Sequence, residues 1–460
     1  MSTWSSLDPR ATAAWTEFAA TGAAEADNER FQKRLHRPGW VHAYPPVVFR
    51  GAAADEVTDL GLRLAELVSD FPRRVFGEDL EAWAGYLGIP AEDADLMISA
   101  LRHPRTGRAA TAIMRPDLVV TDEGLQLVEL NVSTPMGGMS TIAPYTEASL
   151  DSDYARFLAT RGLTPGAAAT SHVWLDMFVG LLREHDTERP LHVFEAVANP
   201  ADSDSGRRFF VDMIRSGGYE ISCGLVTDLE LDEDGASFEG RRVDVVVTMY
   251  TWHETKKYVP HALTRRLMEL DIAEKLDFIG APATALHDNK ANLALLTEPE
   301  FDHLLSDGER RLARAHVPET FRLRADTLDR ALAEREELIC KPASAYGGKD
   351  LAFGFTRDDG QWRALLQERL ADPRETYVLQ RRLRPAVVEV PGADPAGREV
   401  VLAPLVFGGR FAGTFLRQAP PRSASAINAS SGAEAAGVLT FEPYPEPPHS
   451  PPSSPSYKEL

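Results

Sequence analysis

Cysteine is scarce in this chain: Cys223 and Cys340 are the only two in 460 residues, and they lie far apart. A disulfide framework is excluded, and the pair reads as small buried hydrophobes suited to a reducing cytoplasm. Long apolar runs are missing too. No stretch of about 18 apolar residues occurs, so no membrane span is expected. The start, MSTWSSLDPRATAAW, has no basic segment followed by an apolar one, so no signal peptide is expected. Positive charge is in deficit, with 49 Lys and Arg against 69 Asp and Glu and a net charge of -20. That balance excludes a general nucleic-acid or anionic-membrane surface, and any anion site must be built locally from basic residues. Neither G-x-G-x-x-G opening a helix nor G-x-x-x-x-G-K-[ST] occurs, which excludes a dinucleotide fingerprint and a P-loop.

What is present is an ordinary globular composition, 43% apolar and 26% charged, long enough for two to four packed domains. Residues 1–165 read as helices followed by a hairpin. Helical spacing covers Ala53 to Val68, two shorter helices break at Gly88-Ile89-Pro90, and another pattern runs from Ser140 to Leu158. Residues 166–285 alternate helices with short apolar strands, Leu191 to Val197, Val243 to Tyr250 and Asp277 to Gly280, which predicts a parallel α/β layer. His253-Glu254 follows the second of these strands, and a solvated loop is the plainer expectation there. Residues 286–445 carry a cap at Asp288-Asn289, a polar helix to about Ala315, strands around a glycine loop, and a hairpin of Val387 to Phe407 with Arg410 to Gln418. Residues 446–460 are rich in Pro and Ser and are expected to be disordered.

Two stretches carry chemistry. In RPDLVVTDEGLQLVELNVSTPMGG two apolar runs flank the turn Thr121-Asp122-Glu123-Gly124, a β-hairpin. Period-two alternation puts Arg115 and Asp117 on one face of its first strand. It puts Leu125, Leu127, Glu129 and Asn131 on one face of the second. Two carboxylates and an amide oxygen then meet across one ladder beside an arginine, an oxygen-only set that suits Mg²⁺. In CKPASAYGGKD a strand ends at Lys341, and Gly347-Gly348 frees backbone N–H groups to close over phosphates, with Lys349 adding charge. A plain Gly-Gly turn explains this loop about as well. Tyr377 to Gln380 fits a hinge that reads an adenine, and Arg417 closes the strand AGTFLR.

Taken together these parts resemble the ATP-grasp superfamily. The metal group precedes Lys341, an order that resembles the circularly permuted branch, and specifically the synthetase domain of glutathionylspermidine synthase and its relatives. The matching residues are Arg115-Pro116-Asp117, Glu129 to Pro135, Asn289-Lys290, Lys341-Pro342, Gln380 and Arg417, so the resemblance spans residues 105–430. It implies an α/β fold with α+β lids and an inserted parallel α/β domain of the pre-ATP-grasp kind at 166–285. It also implies an ATP- and Mg²⁺-dependent carbon–nitrogen ligase. Asp117, Glu129 and Asn131 would hold Mg²⁺. Arg115 would contact the γ-phosphate or acyl phosphate, and Arg417 would neutralise charge in the transition state. Lys290, Lys341, Tyr346, Gly347, Gly348, Lys349 and Gln380 would bind the nucleotide. The partners implied are a small-molecule or peptide carboxylate and an amine, with a homodimer as a further expectation.

Three features depart from that family. No amidase-like segment is expected ahead of the matched region, Ser133 stands where the family carries Asp, and RSASAINASSGAE from Arg422 to Glu434 is more similar to permuted peptide ligases. The alternatives are an ATP-grasp phosphotransferase and a non-catalytic nucleotide-binding protein.

Overall fold

The structure is a computed structural model. It describes residues 7–443 except 36–38, 186–188, 200–206, 349, 391, 393–395 and 422–426. Lys349 and the tail 446–460 lie outside the described residues. The chain is a mixed α/β protein with several sheets. The elements that position the site are α1 (Gly51–Phe76), β1 (Ile113–Thr121), β2 (Gly124–Val132), α2 (Met139–Leu150), β3 (His192–Val197), β4 (Glu220–Leu225), β5 (Val245–Thr248), α3 (Trp252–Tyr258), β6 (Asp277–Ile279), β7 (Thr320–Arg322), β8 (Leu338–Pro342), β9 (Ala352–Phe353), β10 (Tyr377–Arg381), β11 (Arg398–Phe407), β12 (Arg410–Ala419) and β13 (Glu434–Gly437).

The hairpin β1–β2 cannot bury both its faces alone, and two strands are marginal in water. It finds its cover late in the chain. β1 pairs antiparallel with β11, with Val119 opposite Val401 and Leu118 opposite Leu402, and β11 pairs with β12, Val401 opposite Arg417. β13 and the short strand Val41–His42 complete that side of the sheet. The early hairpin and the late hairpin are therefore one floor. The segment Val387 to Phe407, expected as one strand, is divided: Val387–Val388 is a separate short strand that pairs back on the start of β11.

Helix α1 lies across one face of the floor. Its apolar stripe, including Val57, Leu60, Leu64 and Phe71, joins Leu118, Val120, Leu402 and Leu416 in one core. The helix runs well past the expected Val68. Gly61 lets it approach this closely, because a Cβ there would lie 2.4 Å from Cγ of Pro404.

The order β6-β5-β3-β4 forms a parallel sheet, as the alternating pattern of 166–285 requires. Its C-terminal edge meets the end of the floor hairpin. Thr248, the last residue of β5, hydrogen-bonds Thr134 at 3.1 Å. A third, antiparallel sheet of order β7-β10-β8-β9 overhangs the floor. It has its own core, with Cys340, Trp362, Leu366 and Leu379 fully buried. The polar helix expected after residue 289 is broken: one turn at Asn292–Leu295, a 3₁₀ segment, and a helix at Asp307–His316. Neither cysteine forms a disulfide among the described residues. Among the described residues no helix is long and apolar enough to cross a membrane.

Candidate active site

Between the floor and the overhanging sheet lies a cleft of about 880 Å³, within the range of small-molecule sites. Arg115, Asp117, Glu129, Asn131, Lys290, Lys341, Tyr346, Gly347, Gly348, Gln380 and Arg417 all line it. Among its described lining residues seven are cationic and three carry carboxylates, so an acidic chain has built a locally positive cavity.

The hairpin reaches this arrangement through a break in its alternation. Across the pair, Arg115 faces Asn131 and Asp117 faces Glu129, but Leu118 faces Leu127. Val128 is the extra residue of a β-bulge, which reverses the side on which side chains emerge. Strict alternation placed Leu125 and Leu127 beside Glu129 and Asn131. The bulge instead buries both leucines under α1, with Leu130 and Val132, and leaves Glu129 and Asn131 facing the cleft. Its carbonyl leaves the ladder and meets the overhanging sheet, 3.5 Å from Lys341 Nζ and 3.4 Å from Gln380 Nε2.

Asp117 is enclosed by arginines. Arg115 donates from Nε to Oδ1 at 2.8 Å and from Nη2 to Oδ2 at 3.1 Å. Arg417 Nη2 lies 2.7 Å from Oδ2. Burial alone would raise this carboxyl, but the two guanidinium charges outweigh it and hold Asp117 well below the usual carboxylate range. Arg115 spends its remaining nitrogen on Gly137 O at 2.7 Å. Arg417 Nε is buried and meets no acceptor among the described residues.

Glu129 is less enclosed, its side chain a quarter exposed, with Lys290 Nζ 3.3 Å from Oε2. Lys290 also donates to Ala345 O at 2.6 Å. Asn131 donates its amide nitrogen to Arg115 O at 3.2 Å, which leaves its oxygen available. Lys341 rises from β8 and donates to Gln380 Oε1 at 2.5 Å. Burial lowers its ammonium to about 8, partly opposed by Glu129 and Asp117. Gln380 donates to Thr320 Oγ1 at 3.0 Å, so its amide is engaged in holding Lys341.

The loop that follows Lys341 divides in two. Its first half is pinned. Ala343 N bonds Thr376 O at 2.7 Å, Ser344 N bonds Glu375 Oε1 at 3.0 Å, and the Tyr346 hydroxyl bonds Asp288. Gly347 and Gly348, both at positive φ, are exposed.

Sequence reasoning missed Asp288 as a site residue. It reads as part of a helix cap, but Asn289 takes the local role by accepting from Ala291 N at 2.9 Å. Asp288 instead accepts from Val132 N at 2.7 Å, tying the end of β2 to the glycine loop through Tyr346. Burial pushes its carboxyl up to about 6. Also missed were Ile339, Phe353 and Leu383, which line the cleft opposite Val119 and Val401. The alternation of β8, which puts Ile339 on the same face as Lys341, was the available signal for the first of them. His253-Glu254 is the first turn of α3 rather than a loop. Glu254 completes a capping box with Thr251, and Thr251 lines the cleft.

Magnesium commonly takes one or two carboxylates plus phosphate oxygens. Glu129 and the Asn131 oxygen fit that pattern. Asp117, saturated by guanidinium groups, does not. Among the described residues no group of three or more His, Cys, Asp or Glu could hold a metal alone.

No protein-family model and no curated protein matches the chain. Among solved structures it is similar to a protein described as "Putative gamma-glutamylcysteine synthetase" from Methylobacillus flagellatus KT, at 12% identity and a TM-score of 0.43, over 83% of this chain and 88% of that one. It is also similar to D-cycloserine synthetase DcsG, at 16% identity and a TM-score of 0.29, over 51% of this chain and 71% of that one.

Proposed function

We propose that this chain is an ATP-dependent carboxylate–amine ligase of the circularly permuted ATP-grasp type. The observation that carries this reading is the convergence of Arg115, Glu129, Asn131 and Arg417 on the floor with Lys290 and Lys341 above them, around one cleft. Phosphoryl transfer asks little covalent chemistry of a protein and much charge neutralisation and in-line positioning. Four cations facing one partly exposed carboxylate and one amide oxygen supply that. The inserted parallel sheet and the order of the parts, floor carboxylates before the lysine of the lid, support the permuted form.

In this reading the nucleotide is a substrate lying between the sheets. Its base rests among Ile339, Phe353 and Leu383, and its phosphates lie toward Lys341, Lys290 and the Gly347-Gly348 backbone. Gln380 orients Lys341. Magnesium, when bound at Glu129 and Asn131, would neutralise phosphate charge. Asp117 keeps Arg115 and Arg417 in place. A carboxylate oxygen of the acid attacks the γ-phosphorus and the bond to ADP breaks, giving an acyl phosphate. An amine nitrogen then attacks the acyl carbon and loses a proton, and the C–O bond to phosphate breaks. Holding both reactants together contributes about 7–11 kcal/mol in favourable cases.

Product analysis tests this. Full-length protein with ATP, Mg²⁺ and panels of acids and amines should release ADP and phosphate with a new amide. AMP with pyrophosphate would overturn the acyl-phosphate route. A stable phosphorylated product that needs no amine would convert the reading to a phosphotransferase.

A further inference from the structure

One end of the cleft is unlike the rest. Beside Arg417 the lining includes Trp40, Phe415, Met136 and Ile427, with Asn428 the polar neighbour of Ile427. Trp40 and Phe415 have ring centroids 6.3 Å apart, with planes inclined by 30°. Gly138, at φ +106°, leaves room for Phe415, since a Cβ there would come within 2.8 Å of Phe415 Cβ and Cγ. The Arg417 guanidinium stands 5.5 Å from the Phe415 ring centroid. A cation whose buried Nε meets no acceptor among the described residues therefore adjoins an aromatic wall.

Buried donors without partners are costly and mark where an acceptor belongs. A carboxylate complements the Arg417 guanidinium where it lines the cleft, because Asp117 is one counter-charge shared by Arg115 and Arg417. The next few bonds of that molecule then meet Phe415, Trp40 and Met136, which offer no charge to pair with a second carboxylate, so an acidic chain would be stranded there. We infer that the Trp40–Phe415 end is the specificity subsite for the acid substrate, which is a carboxylic acid with an apolar, aromatic or branched aliphatic chain whose carboxylate sits on Arg417. The inference rests on the ligase reading for calling this molecule the acid that is activated.

The test separates the two. Calorimetry of the full-length protein without nucleotide, titrated with alanine, leucine, phenylalanine and glutamate, reads the subsite alone. Phenylalanine and leucine should bind about tenfold more tightly than alanine, from the apolar area removed from water, and glutamate should bind more weakly than alanine. Trp40→Ala should abolish the preference and Trp40→Phe retain most of it. Ile427→Ser, a half-buried position, should weaken phenylalanine and leave alanine unchanged. Tighter binding of glutamate than phenylalanine, or a preference indifferent to both Trp40→Ala and Ile427→Ser, overturns the subsite. ADP release then reports on the reaction. Release with glutamate but not with phenylalanine would keep the ligase and remove the subsite. Selective phenylalanine binding with no ADP release for any amine would keep the subsite and remove the ligase.

Discussion

Arg417 Nη2 lies 2.7 Å from Asp117 Oδ2, both side chains almost wholly buried, although one residue belongs to the early hairpin and the other to the late one. This contact ties the two hairpins of the floor together at the point where the cleft opens. It also makes Asp117 a holder of two arginines rather than an open carboxylate.

Asp117→Asn should therefore cost stability as well as activity. It leaves two buried guanidinium groups without their counter-charge, a loss of about 3–5 kcal/mol when one partner of a buried pair is removed. Urea unfolding measures it. The pH dependence has a fixed sign. A carboxyl depressed in the folded state stabilises above its unfolded value, near 3.9, and that contribution is lost as pH falls through the folded value. Wild-type protein should lose stability below about pH 4 more steeply than Asp117→Asn. Equal acid slopes would mean that the pair contributes nothing.

Glu129→Gln preserves shape and removes the partly exposed charge. Turnover, read as ADP release, should fall on the order of a hundredfold, the size of losing one charge-stabilising group. The melting temperature should stay close to wild type, because Leu125, Leu127 and Leu130 carry the packing of that strand on its other face. An active Glu129→Gln enzyme would place the metal elsewhere.

Burial, with the Lys290 charge nearby, lowers the Lys341 ammonium to about 8. Between about 8 and the ordinary lysine value near 10.4 the unfolded chain binds more protons than the folded one, so this group makes stability rise with pH across that window. Binding of a polyphosphate runs the other way: it favours the ammonium. Nucleotide binding above pH 8 should take up protons, and affinity should fall as pH rises further. Calorimetry in buffers of different ionisation enthalpy measures the uptake. Lys341→Arg, charged throughout, should flatten the profile, and no uptake in wild type would detach Lys341 from the phosphates.

Hydrogen exchange should divide the glycine loop. Ala343 N and Ser344 N are bonded to Thr376 and Glu375 and should be slow with or without ligand. Gly347 and Gly348 should exchange fast alone and slow with ATP and Mg²⁺. Identical exchange at both glycines in the two states would argue against closure there.

The sequence by itself determined the elements that local chemistry specifies. The turn at Thr121 to Gly124 fixed the hairpin, and the β-branched run at Val243 to Tyr250 fixed a buried strand. The break at Gly88-Ile89-Pro90 separated two helices. It also exposed the residue types of the cleft, because carboxylates, lysines and glycines at strand ends are legible wherever the fold puts them. Tertiary structure decided the rest. A bulge at Val128 reversed the facing of Leu125 and Leu127, since an extra residue in one strand is an event between two strands and leaves no mark in either alone. Asp117 became the counter-ion of Arg417, and Gln380 the support of Lys341, because those pairings depend on register across sheets assembled from distant segments. Asp288 left its helix cap for the end of β2 for the same reason: a buried carboxylate takes the donors that the assembled fold brings within reach, and sequence neighbours are only some of them.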